Sequence, residues 1–307
     1  MQTILGAGGA IGQPLAKELK KYTDKIRLVS RNPSKINDDD ELFSADLTNA
    51  QQTEKAVKGS EVVYLTIGMP YSAKTWQEKW PVIMQNVLNA TKKHNCKLVF
   101  FDNMYMYDKN SIKHMTEETP VNPPSKKGTV RAEVAGMLLN AIQKSEVEAL
   151  IARAPDFIGR HNSMIGQTVI DNLQKGKKAM WIGSDIKSRN VITPIDAAKA
   201  TAILGNTPDA YGQVWHLPST KESLTGKEWI ELIAQKLNAK PKYTLIKPFM
   251  FPVLGAVMPL MKEIGEMLYQ YTDDYYFDST KFEQRFDYKP LSASEAVELA
   301  ISEKQLN

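Results

Sequence analysis

The chain has 307 residues, of which 42% are hydrophobic and 24% charged, the proportions of an ordinary globular protein. Its formal net charge of +4 comes from interspersed basic and acidic residues, so nothing in the composition indicates nucleic-acid binding. The length allows one large domain, or a core with a smaller partner domain.

A glycine-rich loop follows the first predicted strand, residues 1–5. The loop reads Gly-Ala-Gly-Gly-Ala-Ile-Gly over residues 6–12. The predicted helix that follows has Ile11, Leu15 and Leu19 on one face, and a second strand is predicted at 26–29. In such a strand–helix–strand unit the backbone N–H groups approach a pyrophosphate, and the helix N-terminus points at it. The loop therefore predicts a dinucleotide site, with an ordinary tight turn as the alternative.

Strands and helices alternate through the first half of the chain. Strands are predicted at 61–67, 97–101 and 148–153, with helices at 76–93 and 129–144 between them. This alternation predicts a parallel sheet covered by helices on both faces, with ligands bound beyond the carboxyl ends of its strands.

The pattern changes after residue 155. We predict a helix at 165–174, strands at 180–182, 190–192 and 213–217, and a helix at 225–237. Pro194 and Asp196 indicate the start of another helix. We predict a dinucleotide-binding core of residues 1–156 and 189–217, and a smaller substrate-binding subdomain of residues 157–188 and 218–307.

The most apolar segment is residues 248–261, which is too short and too rich in proline to span a bilayer. We expect it to be buried in the smaller subdomain; a substrate-pocket wall or a partner surface is the alternative. The single cysteine, Cys96, is expected to be a small buried residue. Because the chain begins directly at a strand, we expect a cytoplasmic protein without a membrane partner. The short basic pairs at 126–127 and 177–178 are expected to be solvated.

Several motifs, in this order and spacing, resemble the atypical and extended short-chain dehydrogenase/reductase superfamily, in particular its NAD(P)-dependent epimerase/dehydratase-like members. The resemblance implies a Rossmann-type doubly wound parallel sheet with a smaller C-terminal substrate subdomain. The motifs are the 6–12 loop and residues 45–47, 101–107, 153–159, 189–198 and 266–270.

The end of the second strand bears on the choice of cofactor. It reads Val-Ser-Arg-Asn-Pro, with no acidic residue to bind the ribose hydroxyls of NAD. The guanidinium of Arg31 can pair with the 2′-phosphate of NADP(H), and the hydroxyl of Ser30 can donate to the same phosphate. These two residues therefore favour NADP(H) over NAD(H). The alternative is that Arg31 is merely solvated. The resemblance also places Asp46 and Leu47 beside the adenine, and 66–68 along the ribose. The predicted cofactor-binding residues are Gly6, Gly9, Ala10, Ile11, Gly12, Ser30, Arg31, Asp46, Leu47, Thr66, Ile67, Gly68 and Pro155.

The superfamily's Tyr-x-x-x-Lys pair, in which the lysine lowers the pKa of the tyrosine, is missing here. Alignment by the family motif puts Ser125 at the tyrosine position and Thr129 at the lysine position. Asn103 matches the family's upstream serine; an amide there can hydrogen-bond a substrate oxygen but cannot transfer a proton at ordinary pH. The resemblance therefore supports cofactor binding more strongly than turnover.

Other residues offer substitute chemistry. Tyr105 and Tyr107 flank the strand end that faces the nicotinamide in the family, and Lys126 or Lys127 is a candidate to rebuild a Tyr/Lys pair with one of them. The alternative is that these tyrosines pack against the substrate loop. Tyr64 and Tyr71 are weaker candidates.

Three basic residues suggest an anionic substrate. Arg189 matches the position that holds a substrate phosphate in nucleotide-sugar members of the family, and Arg160 and His161 follow the sixth strand. Surface solvation is the alternative. The four histidines lack metal-ligand spacing, so we expect no metal.

We therefore expect an NADP(H)-binding reductase or epimerase-like enzyme acting on a small carbonyl or hydroxyl compound. The alternative function is a non-catalytic NADP(H) sensor. The chain is expected to be a monomer, or a homodimer paired through helices 76–93 and 129–144 as family members often are.

Overall fold

The computed structural model describes residues 1–160 and 163–302, which form two compact units. Unit 1 comprises residues 1–106, 126–154 and 195–217, and unit 2 comprises residues 107–125, 155–194 and the chain from 218. Residues 107–125, 155–156 and 189–194 thus belong to unit 2 rather than to the predicted core. The binding roles assigned to the two parts stay predictions.

The elements run in chain order as follows. The strands are β1 Gln2–Leu5, β2 Ile26–Ser30, β3 Glu41–Ser44, β4 Val62–Leu65, β5 Lys97–Asn103, β6 Ala149–Ala154, β7 Ala179–Ile182, β8 Ser188–Arg189, β9 Val214–His216, β10 Leu224–Thr225 and β11 Tyr243–Ile246. The α-helices are α1 Gly12–Leu19, α2 Ala50–Val57, α3 Ala73–His94, α4 Lys126–Gln143, α5 Asp171–Gln174, α6 Pro194–Gly205, α7 Gly226–Lys236, α8 Phe251–Val257, α9 Pro259–Gly265, α10 Tyr269–Thr272, α11 Thr280–Phe286 and α12 Ala293–Ser302.

Unit 1 is built on a parallel sheet of seven strands, in the order β3-β2-β1-β4-β5-β6-β9. Every residue of β1, β4 and β6 is buried, as expected for strands covered on both faces. The predicted Rossmann-type parallel sheet is confirmed. The chain adds β2 and β3 on one side of β1, then β4, β5, β6 and β9 on the other, so the order switches between β1 and β4.

Helices α3 and α4 contribute much of the apolar core of unit 1. The indole rings of Trp76 and Trp80 on α3, together with Val134 and Leu138 on α4, lie in one buried cluster. Ser72 accepts a hydrogen bond from the backbone of Thr75 and so caps the start of α3. Helix α4 begins at residue 126, three residues before the predicted start.

Unit 2 contains two small sheets and a second apolar core. β7 pairs with β11 in parallel, and β8 pairs with β10 antiparallel. Trp181, Trp229 and Val297 are buried together in the core. The predicted helix at 165–174 consists of a π-helical turn, Gly166–Ile170, followed by α5. The predicted strand at 190–192 is wrong: the strand is β8, and Ile192 makes only an isolated bridge to Phe157.

The expected burial of residues 248–261 is wrong. This segment forms a 3₁₀ turn followed by α8 and α9, each with a proline in its first turn, and many of its apolar side chains face solvent. Phe251 is buried, but helices this short bury only one face.

Cys96 is buried as predicted, and burial raises the pKa of its thiol. Over the described ranges, no helix is both long and apolar enough to cross a membrane.

Candidate functional site

The glycine-rich loop runs from the end of β1 into α1. Gly6 has a φ of +104°, a conformation that side chains other than hydrogen rarely allow, and its N–H donates to the carbonyl of Val29 at 2.9 Å. The N–H of Gly9 donates back to the carbonyl of Gly6 at 3.1 Å. The loop is therefore a tight turn that is hydrogen-bonded to β2.

Two of its glycines are required by close backbone approach. A Cβ on Gly6 would stand 2.7 Å from the Cα of Ile67, and one on Gly12 would stand 2.6 Å from the carbonyl oxygen of Gly6. A Cβ on Gly8 would meet nothing within 4 Å. The loop thus packs against the end of β4 and the start of α1, at the switch point of the sheet, where the first N–H groups of a helix have no intrahelical acceptor.

The end of β4 completes this cradle. The backbone N–H of Thr66 donates to the carbonyl of Leu5 at 2.9 Å, and its buried hydroxyl reaches the same oxygen at 3.4 Å. Ile67 is half-buried and Gly68 is exposed. On the helix side Ile11 is buried and Ala10 is half-buried.

The residues predicted to recognise the adenosine end lie around the carboxyl ends of β2 and β3. Arg31 is exposed, and its backbone carbonyl accepts from the Ser44 hydroxyl at 2.8 Å. The backbone and hydroxyl of Thr48 donate to Asp46 at 2.9 and 2.8 Å and lower the pKa of its carboxyl, helped by the charges of Lys79 and Arg31. Ser30 is half-buried and Leu47 is buried. Pro155, also buried, follows β6 and belongs to unit 2.

These positions fit a dinucleotide. Glycines stand where any Cβ would collide with backbone, a helix begins at the loop, and the cation of Arg31 stands beside Asp46 at the neighbouring strand ends. The predicted pyrophosphate-binding residues Gly6, Gly9, Ala10, Ile11 and Gly12 all belong to unit 1, and their role stays a prediction.

At the end of β5 the structure brings together Asn103, Tyr105 and Trp76. The side-chain oxygen of Asn103 accepts the backbone N–H of Tyr105 at 3.1 Å, so its amide nitrogen is the group left to donate to a ligand. The half-buried ring of Tyr105 stacks on Trp76, with centroids 6.2 Å apart and an interplanar angle of 12°. Tyr107, in unit 2, is fully buried and bridges to Val121 through its backbone.

The expectation that Lys127 is solvated is wrong. Because α4 begins at residue 126, Lys127 lies in its first turn; it is 0% exposed, and its Nζ lies 4.5 Å from the ring centroid of Tyr71. Tyr71 contacts Trp76 edge to face. The tyrosine that the structure places beside this lysine is therefore Tyr71, which the sequence ranked among the weaker candidates.

Tyr64 has a structural role. It lies within β4, fully buried, and its hydroxyl donates to Gln2 at 2.9 Å and accepts from Asn206 at 3.2 Å. Burial raises the pKa of this phenol well above its ordinary value, and both hydrogen bonds of its hydroxyl are made inside unit 1, so Tyr64 is part of the core rather than a proton donor to a substrate.

A buried ion cluster that the sequence did not reveal lies at the end of β5. One carboxylate oxygen of Asp102 accepts from Arg131 on α4, and the other accepts from Arg153 on β6 at 3.0 Å. The Arg131 guanidinium also lies over the rings of Trp80 and Phe100. The cluster ties α4 and β6 to the residue that precedes Asn103.

In unit 2, Arg189 is buried and already neutralised. Its guanidinium lies 3.4 Å from a carboxylate oxygen of Asp156, donates to the carbonyl of Gln270 at 2.8 Å, and lies over Tyr271 and Tyr275. Burial raises the pKa of Asp156, and the charge of Arg189 opposes that shift. These contacts supply Arg189 with protein partners; its predicted role toward a substrate anion stays a prediction.

A second polar group in unit 2 surrounds Ser125. The hydroxyl of Tyr269 is hydrogen-bonded by Ser125 and accepts from the amide of Gln270 at 3.3 Å, while burial raises the pKa of the phenol. Gln270 is 1% exposed, and its side-chain oxygen has no hydrogen-bond partner within the described residues. Tyr269 thus brings a phenol to Ser125, the position where the sequence pattern lacks one; no local motif signalled this.

The remaining predicted residues are placed as follows. Arg160 donates to Gln174, and His161 lies outside the described residues. Among residues 1–160 and 163–302, no group of three His, Cys, Asp or Glu side chains forms a metal site.

The parallel sheet and the glycine cradle at its switch point define a dinucleotide-binding protein of the Rossmann type. Residues 3–216 match the model of the NAD dependent epimerase/dehydratase family, and the chain belongs to that family. A nicotinamide cofactor and oxidoreductase-type chemistry are therefore characteristic of its class. No curated protein matches the chain.

Solved structures with the same fold cover nearly the whole chain. A dTDP-glucose 4,6-dehydratase double mutant from Streptomyces venezuelae, with NAD and DAU bound, is 14% identical with a TM-score of 0.80, covering 98% of this chain and 95% of its own. A UDP-galactose 4-epimerase is 17% identical with a TM-score of 0.76, covering 98% and 97%. The NADPH-dependent quinone oxidoreductase QOR2 from Escherichia coli, with NADPH, is 17% identical with a TM-score of 0.74, covering 97% and 99%. At these identities the likeness is one of fold.

Proposed function

We propose that this protein is an NADP(H)-dependent reductase or epimerase-like oxidoreductase that acts on a small carbonyl or hydroxyl compound. The observation that carries the proposal is the cradle at the switch point, where Gly6 and Gly12 stand too close to backbone for any side chain. When bound, the nicotinamide supplies reversible hydride exchange; the protein supplies position and protons. The single, buried Cys96 is compatible with the cytoplasmic location that we also propose.

The preference for NADP(H) rests on Arg31. It is exposed at the end of β2, where a guanidinium can pair with the two negative charges of a 2′-phosphate, and no carboxylate follows β2 to bind the ribose hydroxyls of NAD instead. Both hydrogen bonds that Thr48 makes to the adjacent Asp46 go to one carboxylate oxygen, Oδ1.

Titration of NADPH and NADH against the purified chain tests this preference. We expect NADPH to bind about tenfold more tightly or better, since one desolvated charge-assisted contact contributes ~1.5–3 kcal/mol. The variant Arg31→Asp should reverse the preference. Lys25→Asp makes the same charge change at the other end of β2 and serves as the control. Equal affinity for the two cofactors, or an unchanged ratio in Arg31→Asp, would exclude Arg31 from the phosphate site.

For the chemical step, we propose that the amide nitrogen of Asn103 donates to the reacting oxygen and that Tyr105 or Tyr107 supplies the proton. Tyr105 suits this role better, because its ring is only half-buried and is fixed by Trp76, whereas Tyr107 is fully buried. The amide can orient the oxygen but not protonate it. Tyr105→Phe keeps the ring stack and removes only the hydroxyl, so a large fall in turnover with unchanged NADPH affinity would support Tyr105.

The alternative function, a non-catalytic NADP(H) sensor, is favoured by one observation. The family's tyrosine and lysine positions hold Ser125 and Thr129, neither of which can transfer a proton near neutral pH. Incubation of the NADPH complex with a broad panel of aldehydes, ketones and quinones, followed through NADPH absorbance, separates the two functions. Oxidation with any carbonyl supports the reductase, and tight binding without oxidation favours the sensor over the reductase.

A further inference from the structure

The outer face of α8, with the 3₁₀ turn that precedes it, carries apolar side chains in water. Phe249, Val253 and Val257 are spaced by four residues and therefore share one helical face, and they are 74%, 71% and 81% exposed. Met258 and Leu260 extend the exposed apolar surface to the start of α9. A solvent-facing helix normally presents polar residues there, and a contiguous apolar patch marks a binding surface.

The chain on either side of this apolar face is basic. Residues 232–262 contain five lysines and no acidic residue, giving +5, whereas the whole chain is +4, so all the other residues together sum to −1. One of the five, Lys236, pairs with Glu298. The other four are exposed: Lys240, Lys242, Lys247 and Lys262. Glu263 and Glu266 follow immediately after the stretch.

An open apolar pocket lies beside helices α8 and α9. They approach closely at Gly255, where a Cβ would lie 3.2 Å from the Cα of Lys262. A cavity of about 500 Å³ lies against them, lined mainly by apolar residues such as Phe251, Met261 and Leu268, with Lys262 as the charged residue of its lining. An apolar hollow bordered by a cation is suited to an acyl chain with an anionic head group.

We propose that the α8–α9 hairpin, residues 248–265, docks on the surface of an anionic lipid bilayer. The exposed apolar face would enter the head-group and acyl boundary, and the lysines would meet the anionic head groups. The charge distribution is the reason to prefer this occupant over a second copy of the chain. A two-fold interface through the hairpin would bring the exposed Lys247 and Lys262 of one copy close to the same lysines of the other, with like charges facing each other.

Vesicle flotation of the full chain tests the proposal. Vesicles of phosphatidylcholine alone are compared with vesicles in which about one third of the lipid is phosphatidylglycerol. We expect binding to the anionic vesicles, weakened by added salt because the head-group attraction is screened. The triple variant Phe249→Ser/Val253→Ser/Val257→Ser should reduce the bound fraction about tenfold or more. Lys247→Gln/Lys262→Gln should remove the preference for anionic lipid.

The control is Ile186→Ser, which removes an apolar side chain of unit 2 that is also 74% exposed but lies outside the hairpin. It should bind vesicles as the wild type does. Thermal unfolding checks that each variant is folded; if the triple variant is not, Val257→Ser, the most exposed position, replaces it with a smaller expected loss.

Three results would overturn the proposal. They are the absence of binding to anionic vesicles, unchanged binding by a folded hairpin variant, and a wild-type dimer in solution that the triple variant converts to a monomer. The last would assign the hairpin to a second copy of the chain. None of these readings depends on NADPH or turnover, so the test is independent of the proposed function.

Discussion

A methyl group on Gly12 would stand 2.6 Å from the carbonyl oxygen of Gly6, closer than real Cβ contacts come. The obstacle is backbone, which cannot move aside without opening the turn between β1 and α1. The contact links the start of α1 to the strand end that the proposed cofactor must meet. Gly12 is therefore required by the packing of the loop itself, whether or not a dinucleotide is bound.

We predict that Gly12→Ala lowers the free energy of unfolding by ~1–3 kcal/mol, the cost of overpacking a well-packed site, and abolishes NADPH binding. The matched control is Gly136→Ala in the exposed middle of α4, where a Cβ meets nothing within 4 Å. There alanine should stabilise by ~0.5–1 kcal/mol. Urea unfolding of both variants checks the pair. A Gly12→Ala protein as stable as the wild type would show that the loop can relax.

The carboxylate of Asp102 lies between the buried guanidinium groups of Arg131 and Arg153. Replacing it by asparagine leaves two buried positive charges facing one neutral amide. We predict that Asp102→Asn lowers the free energy of unfolding by ~3–5 kcal/mol, as expected when one partner of a buried ion pair is removed.

The comparison variant for this experiment is Glu231→Gln, which breaks an exposed i,i+4 pair with Lys227 and should leave the unfolding midpoint unchanged. Similar unfolding curves for Asp102→Asn and the wild type would mean that water reaches the cluster and screens it.

Sequence periodicity predicted the strands and helices whose signals lie close together in the chain. The unit β1, loop, α1 and β2 was found because the glycine spacing and the apolar faces all lie within about thirty residues, and the alternation that followed sufficed for a parallel sheet. The relationship of Asp102 to Arg131 and Arg153 was out of reach, because its partners lie 29 and 51 residues away and only the sheet order brings them together.

Burial was the other quantity that the sequence did not determine. Residues 248–261 are apolar, but an apolar pattern does not say whether another element covers it, and here much of it stays exposed. Lys127 shows the converse. A lysine pair ahead of a predicted helix is normally solvated, yet the helix begins three residues earlier and places this side chain over Tyr71.

Helix α7 offers a test of how pH acts on a capping box. Thr225 accepts from the backbone N–H of Glu228, and the Glu228 carboxylate accepts from the backbone and hydroxyl of Thr225, both at 2.7 Å. These hydrogen bonds lower the pKa of Glu228. A carboxyl whose pKa is lower in the folded state stabilises the fold above its unfolded pKa, and this contribution is lost as pH falls through the folded value.

We therefore predict that Glu228→Gln is less stable than the wild type at neutral pH and that the difference shrinks as pH falls below the usual pKa of glutamate and the wild-type carboxyl becomes protonated. Urea unfolding at several pH values measures it. Glu231→Gln, one turn later in the same helix, should show a difference that hardly varies with pH. A difference for Glu228→Gln that stays constant down to pH 3 would mean that charge has no part in the cap.

Tyr269 presents the phenol that the family pattern lacks, because its hydroxyl is hydrogen-bonded by Ser125 at the position of the missing tyrosine. If it donates the proton in the proposed reaction, Tyr269→Phe should lower turnover about 100-fold, a typical contribution of a general acid, with unchanged NADPH affinity. Since burial raises its pKa, the phenol stays protonated through neutral pH, and turnover in the reductive direction should be flat from pH 6 to 9.

The control for this last experiment is Tyr243→Phe, which removes another phenol of unit 2, bonded to Asp185 at 2.6 Å, and should leave turnover unchanged. Comparison with Tyr105→Phe then decides between the two donors. A fall in turnover for Tyr105→Phe alone would assign the proton to the end of β5, and a fall for Tyr269→Phe alone would assign it to the start of α10.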